Sequence, residues 1–322
     1  MATGSSKSRE HHWWPVGLQK YWADKNGDVW WIEPDERVEK KRARNRKIAK
    51  KAHGHTVFKG NVWETNFEGD FQSADDVAPS IVETLISLKP LGTNISEFFK
   101  MIPLFFKRDR NLRDMCRFYD LPEDVHRGLL LVLFSLLIRS PGSRFRFESY
   151  PELVGLPPNE DVGKGNMRQA YSTAKERCEN GLISNQYFVL IHSTYKKFIF
   201  GDGHLDWLTG GLLANRIDGR ALVPLTPHLC VYLCTPRYMR STPNCASFSA
   251  APWIVNWINN ITQIYSQDRL FFVGKPPVLT EPFRRRQFLE HGRKSDELID
   301  MLDEIAGIRK SDRLISWTSF SQ

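Results

Sequence analysis

The stretch from Pro122 to Ser140 constrains this chain more than any other. Pro122-Glu123-Asp124 reads as a helix start, with acids in the first turn where unpaired N–H groups favour negative charge. Leu129 to Leu133, then Phe134 and Leu136 to Ile138, make the following helix, to about Arg139, apolar nearly all round. A cylinder without a polar face has to be covered on every side, so this helix is expected to be the spine of a core. The apolar run is about half of what a bilayer span needs, and Ser140-Pro141-Gly142 stops it. No membrane partner is expected. The polar opening Met1 to Glu10 lacks a secretory pattern, so a soluble cytoplasmic protein is anticipated.

Around the spine the hydrophobic period changes. Before it, Pro15 to Trp22 suits a short helix, Asp24 to Asp28 a turn, and Val29 to Glu33 a strand, with another at Thr56 to Lys59. Ala78 to Lys89 has helical spacing. After the spine, Pro151 to Gly165 reads as a loop and Asn166 to Asn180 as a helix closed by Gly181. Strands then dominate: Gln186 to His192 and Lys196 to Gly201 read as a hairpin, and Ala221 to Leu225 and Leu229 to Thr235 as two more strands separated by a Thr-Pro-His turn. Ala251 to Asp268 is an amphipathic helix, and Arg269 to Val273 a last short strand. This order implies an α+β fold: one main domain with a central apolar helix against a mostly antiparallel sheet. The expected division is a flexible tail at 1–10, the main domain at 11–280 and a charged C-terminal helical extension at 281–322. The extension, helical in pattern from Gln287 to Ile308, is where a protein partner is expected to dock.

His11-His12, set just before Trp13-Trp14-Pro15, is the most chemically informative passage. Adjacent imidazoles bind divalent metals, move protons or hold phosphate, and the apolar residues behind them should draw the pair into the fold.

Taken in order, several segments resemble a large family known as domain of unknown function 4238. They are His11-His12-Trp13-Trp14-Pro15 with Leu18 and Trp22, then Asn26-Gly27-Asp28-Val29-Trp30-Trp31, then Leu137-Ile138-Arg139-Ser140-Pro141 with Arg144 beyond. Lys197 to Gly203 occupies the place of a strand closing on a Ser-Asp-x-Pro turn, with Gly201 for the serine and His204 for the proline. Pro224-Leu225-Thr226-Pro227 and the asparagine-bearing helix Val255 to Asn260, running on through Phe272, complete the match, which spans about residues 11 to 275. The resemblance implies candidate positions and no shared activity: His11, His12, Arg139, Asp202, Asn256 and Asn260. Histidines with an aspartate and an asparagine suit a metal that activates water, and an arginine suits a phosphate. The bland reading gives each group a local duty: His12 capping the first helix, Asp202 closing a turn, Asn260 satisfying carbonyls and Arg139 neutralising a helix end.

Net charge of +8 comes from one segment. Lys40, Lys41, Arg42, Arg44, Arg46, Lys47, Lys50 and Lys51 fall between residues 40 and 51 without an acid, and the rest of the chain is balanced. Such a run is either a solvated connection or a nucleic-acid contact. Trp13, Trp14, Trp30 and Trp31 are candidates for stacking on bases, although neighbours on a strand face opposite ways. His53 and His55 follow the run and Asn45 lies within it, loosely imitating an HNH nuclease order without its hairpin or spacing. Phosphate loops, nucleophile elbows, zincin and kinase motifs are missing from the sequence. Cys116, Cys178, Cys230, Cys234 and Cys245 have no zinc-like spacing and read as buried thiols. Two functions follow. One is a nucleic-acid-binding protein contacting its ligand through residues 37 to 55, with a nuclease-like hydrolytic pocket of His11, His12, Asp202, Arg139 and Asn260 and a possible divalent metal; a phage-defence or toxin-like role suits it. The other is a non-catalytic binding module in which these residues are architectural.

Overall fold

A computed structural model describes residues 10–43, 48–52, 54–59, 62–93, 96–97, 99, 112–182, 185–208, 219–235, 242–287 and 296–308. The N-terminal part is made of short strands. β1 (Glu10–His12) leads to α1 (Val16–Gln19), and β2 (Asp28–Ile32) pairs with β3 (Val38–Arg42). β4 (Lys50–Ala52), β5 (Thr56–Lys59) and β6 (Val62–Asn66) precede α2 (Gln72–Ser87). β7 (Arg117–Tyr119) is followed by three successive helices, α3 (Glu123–Arg139), α4 (Pro141–Ser149) and α5 (Glu160–Glu179). Then come β8 (Tyr187–His192), β9 (Phe200–Gly201), β10 (Leu205–Asp206), β11 (Ala221–Thr226), β12 (Leu229–Cys234) and β13 (Cys245–Ser249). α6 (Pro252–Tyr265), β14 (Leu270–Phe272), α7 (Glu281–Arg284) and α8 (Glu297–Ala306) complete the order.

Six strands make the main sheet, in the order β10-β11-β12-β8-β13-β7, and four make a second, β3-β2-β14-β9. Every pairing in them is antiparallel except β13 with β8. The fold is α+β, as the sequence implies. β11 and β12 are buried at every position, and so is β8 until His192. That is why they read as apolar runs rather than alternating ones. The spine is α3, buried at every residue from Val132 to Arg139 and packed against α2 and α5. Truncating one of its leucines to alanine is expected to cost about 2–5 kcal/mol. Among the described residues no single helix is long and apolar enough to cross a membrane.

Several elements differ from expectation. Gln186–His192 and Lys196–Gly201 are not a hairpin: β8 lies between β12 and β13, whereas β9 joins β14 in the other sheet. The connection is held instead by the β11–β12 turn, with the Ser193 and Phe198 N–H groups donating to the His228 and Pro227 carbonyls at 3.0 and 2.9 Å. Ser140 stops α3 but also starts α4, its Oγ accepting the Ser143 N–H at 3.2 Å. Asn159 similarly starts α5 earlier than expected by accepting from the Asp161 and Val162 N–H groups. The two described ends of the basic segment are strand, Lys40 to Arg42 in β3 and Lys50 to Lys51 in β4.

The C-terminal helix α8 packs into the main core through Leu298, Ile299, Leu302 and Ile305. Asp303, fully buried, accepts from Arg220 Nε at 2.9 and 3.1 Å and from the Tyr232 hydroxyl. Gly201 is fixed by close packing against Ser266. A Cβ there would lie 1.9 Å from Ser266 Oγ, so a serine does not fit. All five cysteines are buried thiols outside any disulfide.

Candidate functional site

The pairing of β1 with β4 builds the site. Its register sets His11 opposite Lys51 and His12 opposite Lys50, so the end of the basic run lies alongside the imidazole pair. Trp13 and Trp14 pull the strand inward: both are buried, and Trp14 stacks on Phe200 at 4.4 Å between ring centres. Trp31 is buried too, which leaves half-buried Trp30, of the four tryptophans considered, as the one turned toward solvent, with Lys40 Nζ 4.7 Å from its ring centre.

Three further side chains converge on His11 and His12. Gly54 and His55 form the turn into β5, and the His55 ring lies parallel to His11 at 5.2 Å. Glu68 begins a short 3-10 turn (Glu68–Phe71) ahead of α2, anchored by buried Phe71. Asn66 fixes the start of that turn, its Oδ1 accepting the Glu68 N–H at 3.0 Å. Glu68 then serves both histidine segments: Oε1 accepts the His12 backbone N–H at 3.2 Å, and Oε2 pairs with His55 Nδ1. His11 Nδ1 accepts the His55 N–H at 2.6 Å, and its Nε2 is 3.3 Å from Asn66 Nδ2.

Burial lowers the His12 pKa, helped by Lys50 and Arg139 and opposed by Glu68 and the Ile48 carbonyl. Burial lowers His55 likewise, with Glu68 pulling the other way. Burial works to raise Glu68, but His55, the His12 N–H and His11 together take it below the ordinary carboxylate value. His12 and His55 are therefore held neutral beside a charged Glu68 at neutral pH. His12 Nδ1 is buried and has no hydrogen-bond partner among the described residues.

Arg139 closes the inner side. It is buried at the end of α3, its two Nη atoms bind the Asp75 carboxylate, and its guanidinium lies 5.1 Å from the Phe71 ring centre. Arg139 is near enough to His12 and His55 to act on both electrostatically. Asp202 and Asn260 do not join them. Both Asp202 oxygens accept backbone N–H groups, from Gln267 and Asp268, each at 2.9 Å. Burial pushes its carboxyl up to about 6 against the pull of those N–H groups. Asn260 is exposed on α6, as is Asn256. Their neighbour Asn259 does the architectural work, accepting from the Ile199 N–H at 3.1 Å and donating to the Lys197 carbonyl at 3.0 Å. The carboxylate that meets the imidazoles is Glu68. Sequence reasoning missed it, although an asparagine two residues ahead of an acid at a helix start is a turn signal.

His11, His55 and Glu68 place a ligand atom each within 4.8 Å of one another, the size of a metal site. The hydrogen bonding does not suit a metal. A neutral imidazole has one lone pair, and that of His11 already receives the His55 N–H. Asn66 Nδ2 also faces this ring, at Nε2, but one neutral ring cannot accept from both donors; the shorter bond at Nδ1 leaves the proton on Nε2, which meets Asn66 donor to donor and has no lone pair for a cation. The set fits a metal-free proton network better than a zinc centre.

The cations divide into two groups. Lys40 and Arg42 both lean on Asp28, at 3.1 and 3.6 Å, while Lys41 is exposed on the same strand. Lys50 acts on His12, and Lys51 lies toward Arg144, Glu148, Glu160 and Lys164. Arg44, Arg46, Lys47, Asn45 and His53 lie outside the described residues. Comparison with family models, curated proteins and solved structures gives no match for this chain.

Proposed function

We propose that this chain is a phosphodiester hydrolase acting on nucleic acid, with His12 as its general base and the His55–Glu68 pair behind it. One observation carries the reading: the β1–β4 register sets His12 directly opposite Lys50, while Glu68 joins His12 to His55. A base and a phosphate-holding cation are thereby neighbours on one short ladder. Neutral His12 takes a proton from the attacking water as the new P–O bond forms. The bond to the leaving oxygen breaks, and the imidazolium returns the proton to that oxygen. Lys50 neutralises the phosphate, and Lys40, Lys41 and Arg42 extend the cationic track along β3. Membership of the domain-of-unknown-function family 4238 and a cytoplasmic location belong to the same proposal. The nearness of Arg139 to His12 supports the first.

The test is cleavage of labelled single-stranded DNA, duplex DNA and RNA by the purified chain and by His12→Ala. Cleavage lost in the variant supports the reading; cleavage retained in full by His12→Ala removes His12 from the chemistry.

The second reading, a non-catalytic module with architectural polar residues, also has an observation in its favour. His11 is 1% exposed and its ring nitrogen holds a backbone N–H, as a purely structural histidine does. Salt-dependent nucleic-acid binding without any turnover would select it.

A further inference from the structure

The peptide unit between Gly54 and His55 is gripped at both ends. Its carbonyl oxygen, on Gly54, accepts from Arg144 Nη1 at 3.2 Å, and its N–H, on His55, donates to His11 Nδ1 at 2.6 Å. Both gripping side chains are buried, Arg144 at 5% exposure and His11 at 1%. Arg144 is itself immobilised. Its Nε donates to Glu148 Oε1 at 2.6 Å, and its Nη2 pairs with Glu160. Glu160 in turn holds buried Lys164 at 3.2 Å. One guanidinium therefore ties α4 and α5 to the turn that delivers His55. The turn has no slack either: a Cβ on Gly54 would sit 3.3 Å from the Lys51 carbonyl oxygen and 3.4 Å from Arg144 Nη1.

A peptide bond is planar, so fixing its oxygen and its N–H fixes the whole plane. The His55 Cα lies in that plane, which fixes the point from which its ring reaches Glu68 and stacks on His11. We infer that Arg144 and His11 are positioning residues, which clamp the Gly54–His55 peptide and thereby hold the His55 Cα where its imidazole reaches Glu68. The functional consequence rests on the acid–base reading of the site, whereas the clamp does not. Lysine cannot replace Arg144, because a single ammonium lacks the fork that reaches a carbonyl and two carboxylates together. Phenylalanine at position 11 keeps a stacking ring but offers no acceptor.

The experiment is amide hydrogen exchange and imidazole ¹⁵N spectroscopy on the full chain and on His11→Phe and Arg144→Lys. In each variant the His55 amide is expected to exchange about tenfold faster or more. The His55 ring should lose its single Nδ1–H tautomer, and the slow amides of β8 and β12 should stay protected. Unchanged His55 exchange and ring signals in a variant whose sheet amides remain protected would overturn the clamp. Should one variant unfold, seen as loss of sheet protection, the other decides. A clamp that responds in this way in a chain that cleaves no nucleic acid would sink the hydrolase reading and leave the clamp standing.

Discussion

Asp202 and Glu68 are both carboxylates set beside backbone N–H groups, yet their surroundings differ. Asp202 is 2% exposed and takes both N–H groups from two consecutive residues of one turn. Glu68 divides its oxygens between the His12 backbone, on β1, and the His55 ring, in the turn before β5, and its side chain is 29% exposed. A carboxylate satisfied by one turn stabilises that turn and has nothing left to offer. A carboxylate shared between segments, with solvent on one side, sets the tautomer of one histidine and the placement of another. Buried polar groups need partners whether or not they act, so the source of the partners separates structural groups from candidates for chemistry.

The largest expected effect lies on the Glu68 side. On a cleaved substrate, His12→Ala and Glu68→Gln should each lower kcat by roughly 10²–10⁴-fold, with the midpoint of urea unfolding moved far less. Steady-state rates beside unfolding curves check this; equal losses of rate and stability would erase the contrast. On the Asp202 side the order reverses. Asp202→Ala leaves two backbone N–H groups without their acceptor and should cost about 2–5 kcal/mol of stability, read by denaturant unfolding, with cleavage by the surviving folded fraction unchanged.

Acid titration sharpens the comparison further. Burial lowers His204 and His192 to about 4 from the ordinary 6.5. Below pH 6.5 the unfolded chain binds protons at these positions that the folded chain resists. Their contribution is complete above pH 6.5 and is lost as the pH falls toward 4, by up to about 3 kcal/mol for fully buried His204. Asp202 acts in the opposite sense between about 4 and 6, because its folded carboxyl holds a proton more tightly than the unfolded one. Stability should therefore fall on acidification in the unaltered chain, and His204→Leu should flatten that slope. Unfolding free energies at pH 4.5 and 7 decide it.

The smallest effect is expected on β3. Lys40 and Asp28 form a partly exposed pair, so Lys40→Ala should change stability by less than about 1 kcal/mol. In nucleic-acid binding the same change should reduce the salt dependence by about one phosphate contact. A binding titration at several salt concentrations measures it.

The spine helix and the β11–β12 hairpin were legible because their signals are local: an apolar cylinder, and two apolar runs around a Thr-Pro-His turn. The imidazole pair and Arg139 were legible by residue type. Glu68 and His55 were not, because what gives them meaning is contact across 44 to 56 residues, which leaves no periodicity in a sequence. The β13–β8 pairing escaped for a related reason: a parallel neighbour arrives by a crossover rather than a turn. The stripe of Leu298, Leu302 and Ile305 on α8 did announce burial; the surrounding charges obscured it, although one of them, Asp303, is the anchor to Arg220.

The central claim is that His11 and His55 meet as neutral rings in opposite tautomers, one holding a backbone N–H and the other bound to Glu68. Imidazole ¹⁵N spectra of the chain at neutral pH test it directly. The expected result is a proton on Nε2 of His11 and on Nδ1 of His55, unchanged when one equivalent of zinc is added. The same tautomer in both rings, or a zinc-induced shift of both at that equivalence, would contradict it.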